Sequence, residues 1–512
     1  VFPLLLAALY RVGQRRHILP LLACLWLLSL WSNGLAGRNG SFYLPWFRAW
    51  ELLTGSLIAI ALPGRGLRLP PVWRQGLGVA GLALIIWPVL SYSAQTDFPG
   101  LAALPPVLGA ALLIKLGEGL NGATWVHRLL CLRPVVHVGR ISYSLYLWHW
   151  PPLVFLRYLS PEPLSIGQEL LAVCAAFLLA ELSWRLVEQP FRRPGFLRRR
   201  TVLAGGMAVC VAAFAFGVSA RVWQGMPGRL PPEVRTISSV GLDINPNRNR
   251  CSTRFFRQQD TAAPCIGGAE GVTPHFALVG DSFADAMAPG VMVAGRDLGL
   301  AGYEITAGGC YPLLGTHGAG HQCGDYFGKV ATVLEAHDEI THVILIARWS
   351  SAFEASRYGL NRASGLYIMD AEHPEPSLEN TREAVRDGLA RFIEALGRKR
   401  IQIVAFIPEQ MTDVPRAMGV ARLLGREANI AVPRRIYDER QENARRALSE
   451  LAETYGLDLL DMGTVMCSRD ICPASRDGQP LYVDDNHVSR AVATGFGGLF
   501  VPFLEQRALS GK

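Results

Sequence analysis

The sequence predicts a multi-domain chain: a polytopic α-helical membrane domain over residues 1–220 and an α/β domain over 273–512, joined by a linker or entry segment over 221–272. Three observations carry this expectation. The chain has 512 residues, too many for one ordinary domain. Half of them are hydrophobic and 18% are charged, which is apolar for a soluble protein, and the excess lies before about Ala220, where Leu, Ala, Val and Trp dominate. After Pro274, apolar runs of strand length alternate with helical patterns.

The membrane part is read from length and charge. A helix needs about 20 apolar residues to cross a bilayer. Approximate spans are 17–36, 47–62, 75–93, 100–117, 139–159, 165–187 and 201–220. The opening run Val1-Phe-Pro-Leu-Leu-Leu is only about ten residues long before Tyr10 and Arg11, so the chain is expected to begin inside a transmembrane helix, with earlier residues missing. If Arg11–Arg16 is cytoplasmic, parity places 63–74, 118–138 and 188–200 on the same side, and these segments hold nearly all the loop arginines. The opposite loops, 37–46, 94–99 and 160–164, hold one arginine among them. This positive-inside pattern accounts for much of the net charge of +8 without invoking nucleic acid. It also delivers Arg221 and everything after it to the outside.

The ten cysteines divide in the same way. Cys24, Cys131, Cys174 and Cys210 lie in or beside apolar spans and read as packing thiols. The other six form close pairs in the second half: Cys251/Cys265, Cys310/Cys323 and Cys467/Cys472. No Cys-x-x-Cys spacing favours zinc, so disulfides paired by proximity, in an oxidising compartment, are expected. Arginine placement and cysteine usage point to one topology by unrelated physics.

In the second half the strand candidates are 275–279, 301–305, 342–347, 401–406 and 457–460, and the helix candidates are 284–298, 325–337, 379–397, 435–455 and 489–505. Such alternation predicts a parallel sheet with helices on both faces. Residues 221–272 are rich in Pro, Gly, Asn and Arg with little periodicity, and read as a connection tied by Cys251 and Cys265.

The densest signal in the first half is Arg140-Ile-Ser-Tyr-Ser-Leu-Tyr-Leu-Trp-His-Trp-Pro151. A helix starting near Gly139 carries Ser142, Tyr143, Tyr146 and His149 down adjacent faces. Polar groups inside a membrane are expensive and face a cavity or partner, and the competing reading is an aromatic belt at an interface. This stretch, with Phe47-Arg-Ala-Trp-Glu-Leu-Leu-Thr-Gly55 and Val187-Glu-Gln-Pro-Phe-Arg-Arg193, resembles the acyltransferase-3 family of integral membrane acyltransferases over about residues 1–200. The resemblance implies a domain that moves an acyl group, usually acetyl from cytoplasmic acetyl-CoA, to the outer face. It implies Glu51, Arg140, Ser142, Tyr143, Tyr146, His149 and Glu188 as motif residues, with helix packing as the alternative for each. The family's early helices, with their Arg and His motif, have no counterpart here.

Phe276-Ala-Leu-Val-Gly-Asp-Ser282 reads as a buried strand ending in a turn that presents a serine, where open α/β sheets carry their chemistry. A serine nucleophile needs a base, and the base needs an orienter. Asp484-Asp-Asn-His487 can supply both: His487 takes the Ser282 proton and Asp484 holds the imidazole, with Asp485 a competitor and Asp281 read as a helix cap. Oxyanion candidates are the N–H of Ser282 and that of Gly309, in the Gly308-Gly309-Cys310 turn. Gly-Asp-Ser and Asp-x-x-His are each weak signals. Their order, after the first strand and before the last helix, resembles the SGNH hydrolase/transferase superfamily over about 274–505. That resemblance implies a flavodoxin-like three-layer domain. In the version fused to acyltransferase-3 domains it implies paired cysteines and a segment like Ala347-Arg348-Trp349. The superfamily's usual Asn block is not clear here, which leaves Arg348 or Trp349 to shape the pocket.

His317, His321 and His342 have no metal-ligand spacing, so no metal site is expected. Together these readings predict a bacterial inner-membrane O-acyltransferase, in the first place an O-acetyltransferase, with a periplasmic second domain and no tightly bound cofactor. Its partners are expected to be the bilayer, an acyl-CoA donor (acetyl-CoA) and a glycan acceptor in lipopolysaccharide, peptidoglycan or another exported polymer. Two alternatives stay open: an esterase in which water attacks the same acyl-Ser282, and a non-catalytic glycan-binding module in which Ser282, Asp484 and His487 lie far apart.

Overall fold

A computed structural model describes residues 15–33, 44–61, 69–93, 96, 98, 100–118, 124–160, 164–193, 198–251, 265–318, 323, 325–359, 364–428 and 430–506. The opening run 1–10 and His321 lie outside the described residues. The chain divides into two compact units, Val1–Trp148 with Leu178–Gln189, and His149–Phe177 with Pro190–Lys512.

Each expected span carries a helix: α1 (Arg15–Asn33), α2 (Pro45–Ala61), α3 (Pro71–Ser91), α4 (Leu104–Gly117), α5 (Arg133–Trp148) with α6 (Trp150–Leu159), α7 (Ile166–Ser183) and α8 (Arg199–Val222). Three helical stretches among the described residues are long and apolar enough to cross a membrane: Pro71–Ser91, Ile166–Arg192 and Arg200–Val222. Polar atoms fasten α1 to α2. Trp26 Nε1 donates to Thr54 Oγ1 at 2.8 Å, and Ser29 Oγ accepts from the Trp50 N–H at 3.0 Å. The helix expected from Gly139 starts earlier, at Arg133, and breaks at His149. The cause is Pro151 and Pro152, which cannot donate to the preceding turn and instead open a new helix. The four membrane-region cysteines are free and exposed rather than packed inside. A helix that is apolar all round has no periodicity to tell its inner face from its outer one.

The second half is built on one six-stranded sheet. Its strands are β1 (Cys265–Gly268), β2 (Pro274–Gly280), β3 (Ala301–Thr306), β4 (His342–Ile346), β5 (Arg400–Ala405) and β6 (Asp458–Asp461). They lie in the order β1-β3-β2-β4-β5-β6, all parallel except β1, an antiparallel edge strand. Without β1 this is the 2-1-3-4-5 order of doubly wound folds, with its switch point beside β2. Strand residues alternate between two cores, as the pleat requires. Ala277 and Val279 face one core with Val343 and Leu345, while Phe276 and Leu278 face the other with Ile344 and Ile346. Helices α9 (Ser282–Asp297), α10 (Tyr326–Glu335), α11 (Leu378–Ala395), α12 (Val414–Leu423) and α13 (Arg434–Tyr455) fill the connections.

Residues 221–272 hold more structure than their composition suggests. The described part carries a helix at Pro232–Ser239, a helical turn at Arg248–Cys251, and β1. Each element is too short for periodicity to show, and each is fixed by tertiary contacts: Val234 and Ile237 are buried, and β1 pairs with β3. Disulfides join Cys251–Cys265, Cys310–Cys323 and Cys467–Cys472, the pairs expected from proximity.

Candidate active site

Ser282 stands where it does because of the two residues before it. A Cβ on Gly280 would lie 1.8 Å from the Ile346 carbonyl oxygen, so β2 can end this close to β4 only with glycine. Asp281 then caps α9: Oδ1 accepts from the Phe283 N–H at 2.8 Å. Its other oxygen accepts from the Arg348 N–H at 3.0 Å, which ties the turn to the loop after β4. The cap reading of Asp281 was therefore half of its role. Burial, working against those two N–H bonds, pushes its carboxyl up to about 6. Ser282 is the first residue of α9, where backbone N–H groups have no partner within the helix.

His487 reaches Ser282 from a closed loop. The Val483 N–H bonds His487 O at 2.9 Å, and the Ser489 N–H bonds Leu481 O at 3.0 Å. The helix that follows, Arg490–Gly495, packs against α9 so closely that a Cβ on Gly290 would lie 2.1 Å from Ala493 O. The result is His487 Nε2 at 2.8 Å from Ser282 Oγ. Asp484 Oδ2 lies 2.6 Å from Nδ1 of the same ring. Asp484 Oδ1 accepts from the N–H groups of Asn486 and His487 at 2.9 and 2.8 Å, which fixes the carboxylate plane. Burial alone would raise Asp484, but the His487 bond and charge, with those N–H groups, hold its carboxyl below the usual range. The side chains of His487 and Asp484 keep 18% and 37% exposure, so the site is open to a substrate.

Asp485 points elsewhere. Its Oδ1 accepts from Asn486 Nδ2 at 2.6 Å, and burial with the charge of Asp484 pushes it up to about 6. Gly309 sits at the same sheet end in a turn with φ 75°, and the Ala307 N–H bonded to Gly280 O at 2.9 Å keeps that turn beside the serine.

The other flank is a buried charge network. Glu409 is 4% exposed, and its oxygens accept from Arg348 Nε at 2.5 Å, Ser350 Oγ at 2.8 Å and Arg440 Nε at 3.1 Å. Burial would raise Glu409, but the two guanidinium charges and the Ser350 hydroxyl hold its carboxyl low. Arg348 lies 5.9 Å from the Phe283 ring centroid, and that ring is 5.4 Å from His487. Trp349 does not face the site: it is 1% exposed and donates Nε1 to Val404 O. Glu409, Ser350 and Arg440 carry no local motif, and only their convergence in space marks them.

Metal-binding geometry is weak. Asp370, His373 and Asp387 bring ligand atoms within 4.8 Å of one another, but Asp370 already accepts from Arg391 and the His373 and Glu372 N–H groups. His317 lies in a backbone bridge to Met369, and burial pushes buried His342 down.

The first-half motif residues are less gathered. Glu51 takes a bidentate bond from Arg48 at 3.0 Å. Arg140, Ser142, Tyr143, Tyr146 and His149 are exposed. Glu188 is met by Ser144, 1% exposed, whose Oγ donates to it at 2.9 Å. Ser144 lies inside the Arg140–Pro151 motif, one residue from Tyr143. A second pair, His137 Nε2 and Glu181 Oε2 at 2.9 Å, lies in the same unit. Its members are 44 residues apart, beyond the reach of a spacing argument.

A serine, imidazole and carboxylate in sequence at the carboxyl end of an open parallel sheet define the class of serine acyl-transfer and ester-cleaving enzymes. Residues 250–502 match the family described as an SGNH domain fused to AT3 domains, and residues 1–185 match the one described as an acyltransferase domain. The chain belongs to the acyltransferase-3 proteins that carry an SGNH domain. It is 29% identical to the peptidoglycan O-acetyltransferase OatA of Listeria monocytogenes over 185 residues, 35% of this chain and 29% of that protein. It is 26% identical to O-acetyltransferase OatA of Staphylococcus aureus over 210 residues, 38% of this chain and 34% of that protein. The chain thus spans about a third of the length of these relatives. A solved structure, the periplasmic domain of a lipopolysaccharide acetyltransferase from Salmonella ser. Paratyphi A, aligns at 13% identity and TM-score 0.33, covering 46% of this chain and 85% of that one. That score is too low to define a shared fold.

Proposed function

We propose that this protein is a polytopic O-acyltransferase of the bacterial inner membrane. Its first domain, about 1–220, brings an acyl group, acetyl from acetyl-CoA, to the outer face, and its periplasmic domain, about 273–512, passes that group to a hydroxyl of a cell-wall glycan. The observation that carries the reading is the bonded series Ser282–His487–Asp484 in a chain whose other half matches an acyltransferase domain. Ser282 Oγ attacks the acyl carbonyl carbon as His487 Nε2 takes its proton. Asp484 holds the Nδ1–H tautomer and stabilises the imidazolium. The N–H groups of Ser282 and Gly309 receive the developing oxyanion. His487 returns the proton to the leaving donor group. In the second half it takes a proton from the glycan hydroxyl, whose oxygen attacks the acyl-serine, and it returns that proton to Ser282 Oγ as the acyl–serine bond breaks.

The printed names of the two OatA relatives support acetyl as the group, and that of the Listeria protein supports peptidoglycan as the first acceptor to try. The short Ser282–His487 distance weighs against a degenerate binding module. The test is Ser282→Ala in the full-length protein, with base-labile acetate measured on purified peptidoglycan. The expected result is a fall to background; acetate at the unmutated level sinks the relay through Ser282.

A further inference from the structure

Residues 231–251 precede all but the first two positions of the matched SGNH stretch, yet they bond both to the helix that begins at Ser282 and to the helix that follows His487. Asn245 is 4% exposed, and its one amide nitrogen donates to Asp285 Oδ1 at 2.9 Å and to Glu304 Oε1 at 2.8 Å. Asp285 lies one turn after Ser282 on α9, and Glu304 is on β3 opposite Leu278 of β2. Arg248 pairs with the other Asp285 oxygen. Two residues before Asn245, Asp243 holds the start of the Arg490–Gly495 helix, three residues after His487. Its carbonyl accepts from the Arg490 N–H at 2.7 Å, and its carboxylate accepts from the Ala491 N–H and from Arg490 Nε, each at 2.9 Å.

Ser282 and His487 are 205 residues apart in sequence, and their bond depends on how α9 and the Arg490–Gly495 helix lie together. We infer that the strap formed by residues 243–248 sets that approach, and that Asp243 and Asn245 are positioning residues for the triad. Asn245 and Arg248 grip the serine helix and Asp243 grips the start of the helix after His487, with only Ile244 between Asp243 and Asn245. The electrostatics agree. Burial, with the nearby Asp285 charge and against the Asn245 bond, pushes Glu304 up to about 7. Removing the Asn245 amide leaves two buried carboxyls facing each other without their shared donor, which drives α9 away from β3.

The inference rests on Ser282 being the nucleophile. Its test uses the full-length protein and a fluorophosphonate probe. The Ser282 oxygen bonds phosphorus, fluoride leaves, and His487 takes the proton. The readout is the labelling rate constant of the folded fraction, with thermal unfolding followed in parallel. Asn245→Ala and Asp243→Ala are each expected to slow labelling between about tenfold and 100-fold, the effect of misplacing reacting groups by about 1 Å. Asp243→Asn keeps an oxygen for the Ala491 N–H and should restore most of the rate. Asp243→Ala alters a partly exposed anchor and decides the question if Asn245→Ala does not accumulate. Undiminished labelling in the folded alanine variants, whatever their melting temperature, overturns the positioning role. An unlabelled Ser282 in the parent protein overturns the nucleophile reading itself, and the strap's role with it.

Discussion

Two polar networks flank the Ser282 turn, and they are built to opposite ends. On one flank, His487 and Asp484 are partly open, and a proton can shift between Ser282 Oγ and His487 Nε2 across 2.8 Å. On the other, Glu409 is closed in by two arginines and a serine, with both oxygens occupied and its charge held. The first network has a bond that can rearrange during a reaction. The second has none to give up, and through Arg348, whose N–H also bonds Asp281, it holds the turn that carries the serine. Chemistry and rigidity are thus divided between the two sides of one turn.

Asp484→Asn is the strongest way to break that division. It leaves the shape of the loop but offers His487 the wrong partner, so a loss of roughly 10³–10⁴-fold in acyl transfer is expected, with little change in melting temperature. Glu409→Ala should do the reverse. It leaves the Arg348 and Arg440 charges without their shared carboxylate in the interior, and breaking such a buried pair costs about 3–5 kcal/mol. Chemical unfolding of the two variants side by side checks the contrast. If Asp484→Asn proves the less stable of the two, the division of labour is wrong.

The two networks also differ in how legible they were. The strand candidates of the second half and its first four helix candidates fall within a few residues of the observed elements, because long apolar runs and amphipathic helices leave a periodic trace. The helix expected over 489–505 is instead broken into Arg490–Gly495, Gly497–Leu499 and Val501–Leu504, at Gly497 and Pro502. Ser282, Asp484 and His487 were readable because each sits in a short motif at an element boundary. Glu409 and Arg440 were not, since a buried ion network needs only convergence in space. Asp243 and Asn245 were hidden for another reason: they lie in a stretch whose composition reads as a linker, and single hydrogen bonds leave no pattern. In the first half the break at His149 was signalled by Pro151 and Pro152, while the His137–Glu181 pair joins residues too distant for any spacing rule.

The smallest expected effect tests the comparison at its finest point, between the neighbours Asp484 and Asp485. One is held below the usual carboxylate range by His487, and the other is pushed up to about 6 by burial and by Asp484 itself. A raised acid binds its proton more tightly when folded, so its contribution to stability is present below the ordinary value of 3.8 and is lost as pH rises toward about 6. Asp485→Asn removes that loss. Its melting temperature relative to the parent protein should therefore rise between pH 4 and pH 7. Part of the parent's slope will persist, because Asp281 and Glu304 are raised in the same way, to about 6 and about 7. Acyl transfer at neutral pH should stay within about threefold, the scale of a change near 0.5 kcal/mol. A loss approaching that of Asp484→Asn would mean that the orienting role is shared between the two carboxylates, and that the open flank is less simply built than its hydrogen bonds indicate.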